Sequence, residues 1–293
     1  MTLSLSSPWT FGKLRAMELV RRIWKEMTQD RIFDSAAALS YYLMLSFFPF
    51  LIFSLTILAL ISPGVDKPSL LDSLLAMAGQ VVPAKAFFPI AVAVERLALN
   101  SNGGLLTFGL AGTLWAAASG VMSIMDGLDR AYEVKETRSF LLKGAIAIAL
   151  TIGFTILAIL GAGLFVAGDA VGNLLAHLVN ARWAAWTGTA LSLMFGLAAM
   201  IAGFGLMHYF GPNVKRDDRY FFTPGSVFGI LLFLIASFGL SIYIRVSGSF
   251  GSSVYGAFGG VIVLLLWLYF LGLAILIGGE LNSEIAKASN RST

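Results

Sequence analysis

Charged and polar residues that could handle an anion or a proton stand at the ends of long apolar runs in this chain. Asp34 opens the first run, and Asp126, Asp129 and Arg130 follow the second. Lys143 precedes the third run, His208 closes the fourth, and Glu280 and Asn282 follow the sixth. Ionised side chains are costly at membrane depth, and those facing a bundle interior mark binding sites or relays. A guanidinium such as Arg130 can grip a phosphate or carboxylate at two points. A carboxylate such as Glu280, near a bundle interior, suits proton coupling. Tyr41 and Tyr42 lie inside the first run, where their polar tips need a partner or a water, and they could line a route. Each residue also has a plainer account. Helix ends carry charges because the headgroup region begins there, Asp126 and Arg130 are spaced to pair along one helix, and aromatic residues anchor or pack membrane helices.

Other chemistries lack their residues. There is no cysteine, so disulfides, thiol nucleophiles and cysteine metal sites are excluded. The two histidines, His177 and His208, are too few and too far apart for a histidine-rich metal site. No phosphate-binding glycine–lysine loop, zincin helix or Gly-x-Ser-x-Gly elbow occurs. Basic–aromatic modules for RNA are absent as well. The expectation is therefore a non-enzymatic protein with no catalytic residue, no metal, no cofactor and no nucleic-acid partner.

The elements that must position these residues are membrane helices. Of the 293 residues, 58% are hydrophobic and 12% are charged, about half the charge of a soluble domain. A span needs about 20 apolar residues to cross roughly 30 Å of hydrocarbon. Six runs satisfy this, at about 35–62, 104–125, 144–168, 183–208, 225–244 and 255–279. The first is longer than needed and should tilt, start in the interface or kink at Pro49. With the N-terminus inside, fifteen of the 20 Lys and Arg residues fall on the inner side, which fixes the orientation and supports an even number of spans. Both termini are then cytoplasmic.

This divides the chain into a cytoplasmic amphipathic segment, 1–34, a six-helix transmembrane domain, 35–279, and a cytoplasmic tail, 280–293. Within the first segment, residues 11–29 alternate bulky apolar and basic side chains, as in a helix lying on the inner membrane face or docked on the bundle. Residues 63–103 form an outer helical loop, whose part 69–99 reads as an amphipathic cap or a re-entrant hairpin split at Pro83. Glycines four apart, Gly225 with Gly229 and Gly256 with Gly260, mark close helix contacts. The expected fold is thus an all-α, polytopic membrane helix bundle with an extracytoplasmic helical cap.

Several stretches taken in order resemble one family. They are AAALSYY at 36–42 running into SFFP at 46–49, LWAAASG at 114–120 and DRAY at 129–132. PG at 224–225, LSIY at 240–243 and YGAFGGVI at 255–262 follow, then LWLY at 266–269 and GGELN at 278–282. Their order and spacing, from about Asp30 to Glu284, are similar to the YihY/BrkB family of bacterial inner-membrane proteins. The resemblance implies an all-α, six-span protein of a group for which transport of lipids or lipid-linked material has been proposed. Some members are tied to serum resistance in pathogens. An older ribonuclease label on the family is a misassignment, and two isolated histidines agree with setting it aside. Arg130, Tyr132, Glu280 and Asn282 fall on the family-like motifs and are carried over as candidate site residues.

The reading that follows is a transporter or flippase-like protein for an anionic or amphipathic solute. In it Arg130 binds the anion, Glu280 gates or takes a proton, and Tyr41 and Tyr42 line the route. Asp34, Asp126, Tyr132 and Asn282 complete a polar pocket at the inner face. Membrane lipids and a small anionic or lipid-like substrate are the expected partners. The alternative is a non-transporting envelope scaffold that uses the N-terminal segment and the outer cap as contact surfaces.

Overall fold

Long apolar sequence leaves the backbone no polar partner but itself, and every regular element among the described residues is an α-helix. The computed structural model describes residues 16–61, 103–179, 182–214, 220–247 and 256–290. They hold helices α1 (Ala16–Gln29), α2 (Ile32–Ile61), α3 (Gly103–Ala131), α4 (Phe140–Val179), α5 (Arg182–Phe210), α6 (Pro224–Ser247) and α7 (Gly256–Asn290). Six of them, α2 to α7, are long and apolar enough to cross a membrane. Their outer surfaces carry large apolar side chains such as Leu193, Met194, Ile235 and Phe238, each about two-thirds exposed. Water does not tolerate such a surface, whereas lipid chains do. The expected outer loop and cap, with Pro83, lie outside the described residues.

Local chemistry sets the helix ends. Pro224 begins α6, where its missing N–H costs nothing. Thr223 caps that end by accepting the Ser226 N–H on its hydroxyl at 3.1 Å. Ser139 does the same for α4, accepting the Leu142 N–H at 3.3 Å. Arg31 adopts a φ of 50° between α1 and α2, the left-handed turn that lets the chain reverse after two residues. Helix α2 continues through Pro49.

Several helices run past the spans read in the sequence, and α4 reaches Val179 rather than 168. Helix α3 runs to Ala131 rather than stopping near 125, because buried Met125, Leu128 and Ala131 keep its inner face apolar beyond the charges. Helix α7 continues to Asn290, so the expected tail begins as a helical extension of the last span. Leu281, Ser283, Ile285 and Ala286 are buried, because α1 packs over this last stretch. The N-terminal helix therefore docks on the bundle through Met27 and Ile23, while Trp24 stays outside against Phe33.

Helices α2 and α7 lie at the centre. Helix α7 packs on α6, α2, α3 and α1, and α4 pairs along its length with α5. The α6–α7 contact is backbone to backbone. A Cβ on Gly225 would lie 1.9 Å from the Gly278 carbonyl oxygen, and one on Gly229 would lie 2.7 Å from that of Ala274. The spacing of Gly225 and Gly229 thus marks a real helix seam.

Candidate functional site at the charged end of the bundle

The starts of α2, α4 and α6 and the ends of α3, α5 and α7 meet at one end of the bundle, together with α1. All the expected site residues lie there or on the first turns beyond it, but they do not share one pocket. Asp34 is exposed and pairs with the neighbouring Arg31, whose Nη2 lies 2.7 Å from its carboxylate. Asp126 and Arg130 sit on the outer flank of α3, four residues apart, and yet do not pair. Asp126 binds Lys143 of α4 instead. Arg130 is exposed, and its guanidinium makes no hydrogen bond or ion pair among the described residues. Tyr41 and Tyr42 are more than half exposed on α2, with their rings edge to face at 5.5 Å. The cause is helical phase: the buried stripe of α3 runs through Met125, Leu128 and Asp129, which turns 126 and 130 outward.

Three expected residues do face inward. Asn282 accepts the Gly225 N–H at 2.9 Å and donates to the Tyr132 hydroxyl and the Thr223 hydroxyl, each at 2.9 Å. One amide thus ties α7 to the start of α6 and the end of α3. Tyr132 packs on Gly279, and burial holds its phenol above its ordinary value, so it stays a neutral partner. Glu280 is wholly buried, and neither of its carboxylate oxygens has a hydrogen-bond partner.

A polar lock that the sequence did not reveal joins the α3–α4 connection to the end of α5. Arg138 binds Glu136 through Nε at 2.8 Å and Nη2 at 2.7 Å. Its guanidinium also donates to the carbonyls of Phe210 at 3.3 Å and Gly211 at 3.0 Å and faces Asp129 at 3.6 Å. Asp129 in turn accepts the Asn213 N–H at 2.6 Å, and the Asn213 amide donates to the Lys135 carbonyl and Thr137 hydroxyl. Of these two, Arg138 rather than Arg130 has the buried guanidinium, and most of its donors are already taken.

This lock sets an acid sensitivity. The Arg138 guanidinium hydrogen-bonds the Glu136 carboxylate and draws its pKa from 4.5 to about 2. A folded value below the unfolded one means stabilisation that is complete above pH 4.5 and lost as the pH falls through about 2. The unfolding temperature of the purified protein is therefore expected to drop below pH 4.5, and Glu136→Gln to flatten part of that drop. An acid limb identical in the variant would show that Glu136 does not contribute.

Deeper in the bundle lies a cavity of about 340 Å³. Phe47 and Phe50 of α2, Ala117 of α3, Phe154 of α4, Gly203 of α5 and Trp267 of α7 are among its walls. Ser46 is its one hydroxyl, held at 3.1 Å on the Leu43 carbonyl, so the walls offer almost no polar atoms. From Ile275, at the cavity edge, to Glu280 is about 7 Å along the axis of α7.

Residues 23–293 match the family model described as Virulence factor BrkB. The chain belongs to the BrkB family. It is 34% identical over 281 residues to the ribonuclease-like protein YfkH of Bacillus subtilis, covering 92% of this chain and 96% of that one. The UPF0761 membrane protein of Pseudoalteromonas atlantica is 25% identical over 92% of this chain and 87% of its own length. The UPF0761 membrane protein RSc1559 of Ralstonia nicotianae is 24% identical over 94% of this chain, which spans 60% of that longer protein. No solved structure matches. With its six apolar helices and these relatives, this BrkB-family chain is an integral membrane protein.

Proposed function

We propose that this protein moves an amphipathic, lipid-like solute across the bacterial inner membrane, with both termini in the cytoplasm. The observation that supports the reading is the cavity. It lies among five membrane helices and falls in the size range of small-ligand pockets, roughly 300–1,000 Å³. Its apolar walls suit a hydrocarbon chain, and it ends near a polar rim where a headgroup would rest. The distribution of Lys and Arg supports the orientation. Arg130, Tyr41 and Tyr42, turned to the outside, would meet surrounding headgroups and chains rather than the transported molecule. On this reading the protein is not an enzyme, and the ribonuclease-like name of the Bacillus relative does not carry over. His208 is buried, with Nδ1 2.9 Å from the Phe204 carbonyl and its ring stacked on Phe204, which is a packing role.

The test is flux through the cavity. In reconstituted vesicles, the protein should speed the movement of a fluorescent phospholipid between leaflets. Gly203→Leu would grow into the cavity, since a Cβ there meets only the Phe154 ring at 4.0 Å. It is expected to cut the rate several-fold without lowering the unfolding temperature. A wild-type rate equal to that of empty vesicles for anionic and zwitterionic probes alike would defeat the reading.

A further inference from the structure

We propose that the outward edge of α1 binds anionic phospholipid headgroups, through Arg21 and Lys25 with Trp24 as the anchor. This surface shares no residue with the cavity and does not depend on the transport reading. Only the name of the leaflet, the inner one, rests on the orientation drawn from Lys and Arg.

Helical phase gives α1 two unlike faces. Ile23 and Met27 turn to the bundle. Arg21, Trp24, Lys25 and Thr28, spaced i, i+3, i+4 and i+7, form one stripe, and all four are exposed. A free amphipathic helix settles on a bilayer by sinking its apolar face among the chains. Here the bundle already holds that face, so α1 meets lipid sideways, through its basic and aromatic stripe.

The reversal at Arg31 sets the depth of this stripe. Its φ of 50° lets α1 fold back beside α2, and the Trp24 ring comes to 6.5 Å from that of Phe33, edge to face. Phe33 stands in the first turn of the apolar span Ile32–Leu58. Ala37 and Tyr41 follow it at four-residue intervals on the same exposed face of α2. Trp24 therefore crowns a lipid-facing stripe at the level where chains give way to headgroups, the level that tryptophan favours. Both rings are open to that zone, Trp24 at 64% and Phe33 at 41% exposure.

Charge selects the headgroup. Arg21 and Lys25 make no hydrogen bond or ion pair among the described residues. The neighbouring carboxylates are engaged or turned away. Asp34 holds Arg31 at 2.7 Å, and Glu26 and Asp30 are half-buried on the opposite side of α1. Two unpaired cations beside an interfacial tryptophan complement a headgroup with net negative charge, whereas a zwitterionic one offers none. Each Lys or Arg near an anionic surface strengthens the attraction roughly fivefold, and salt screens it.

The chain has no cysteine, so Thr28→Cys gives a single labelling position on the stripe. Its hydroxyl bonds only the Trp24 carbonyl of its own helix, at 2.9 Å. The full-length protein with a fluorophore there is placed in phosphatidylcholine nanodiscs. A small fraction of phosphatidylglycerol or phosphatidylcholine carries a nitroxide quencher high on one acyl chain. At equal mole fraction and low salt, the phosphatidylglycerol form should quench roughly fivefold or more as effectively. Adding Arg21→Gln and Lys25→Gln should erase that preference, leaving quenching by phosphatidylcholine and the unfolding temperature unchanged. High salt should erase it without any further substitution. Trp24→Ala should weaken quenching by both lipids. Equal quenching by the two lipids before the charges are removed, or a preference that survives their removal, would overturn the headgroup site. Quenching by neither lipid would place the stripe in water, open to an acidic protein rather than to the bilayer, and would overturn it too. Lipid movement in vesicles is a separate measurement, so neither result decides the other.

Discussion

Gly225→Ala is expected to remove most of the folded protein from detergent extracts, although it adds a single methyl group. The new Cβ would stand 1.9 Å from the Gly278 carbonyl oxygen and 2.6 Å from the Asn282 amide. The obstacle is backbone, which no rotamer change can move aside. Helices α6 and α7 would have to separate, and the 2.9 Å bond from the Gly225 N–H to Asn282 would go with them. Overpacking of this kind costs about 1–3 kcal/mol, and the broken bond adds about 1 kcal/mol. Gly239, on the same helix, is the control. Nothing lies within 4 Å of a Cβ there, so Gly239→Ala should be neutral or mildly stabilising, by up to about 1 kcal/mol. Size-exclusion profiles after graded heating measure both. If Gly225→Ala melts with the wild type, the backbone seam is wrong.

Arg138→Ala is expected to cost about as much for a different reason. The Arg138 and Asp129 side chains are each only 7% exposed, and removing one partner of a buried ion pair costs about 3–5 kcal/mol because the other charge is stranded. Glu136 and the carbonyls of Phe210 and Gly211 would lose their donor as well. Arg138→Lys should rescue little, since one ammonium cannot reach both carboxylates and both carbonyls of this fork. The triple variant Arg138→Met, Asp129→Asn, Glu136→Gln should recover most of the loss, because it strands no charge. Unfolding temperatures in detergent give the comparison. A single Arg138→Ala variant as stable as the wild type would mean that the lock is ornamental.

The membrane helices were readable because a run of about 20 apolar residues has few other uses. The glycine pair at 225 and 229 was readable because close helix approach needs small residues at that spacing. The phase of the charged residues was not readable. Asp126 and Arg130 fit a pairing rule along one helix, but Lys143 lies across the groove on α4 and takes Asp126 instead. Tyr132 came to notice through a family likeness and Asn282 also as a polar residue at a helix end, and the structure shows what joins them: an amide bridging three helices. The carboxylates of Glu26, Asp30, Glu133 and Glu284 were not singled out in the sequence. Their one signal was spacing, since Glu26 with Asp30 and Glu280 with Glu284 each repeat after one helical turn. That α1 folds back over the end of α7 is a long-range contact, and no local pattern announces it. Arg138 was hidden likewise, because its partners lie on both sides of the α3–α4 connection and beyond α5.

With 35 residues in one unbroken rod, α7 is about 50 Å long, against a hydrocarbon layer of about 30 Å. Trp267 and Ile275 touch the cavity, and Glu280 to Lys287 lie further along the same shaft. A rod pivoting at one end by 10° swings its far tip by about 9 Å. Whatever fills the cavity and leans on α7 would therefore be felt as leverage at its acidic tip, where α1 is attached, with no jointed linkage between the two.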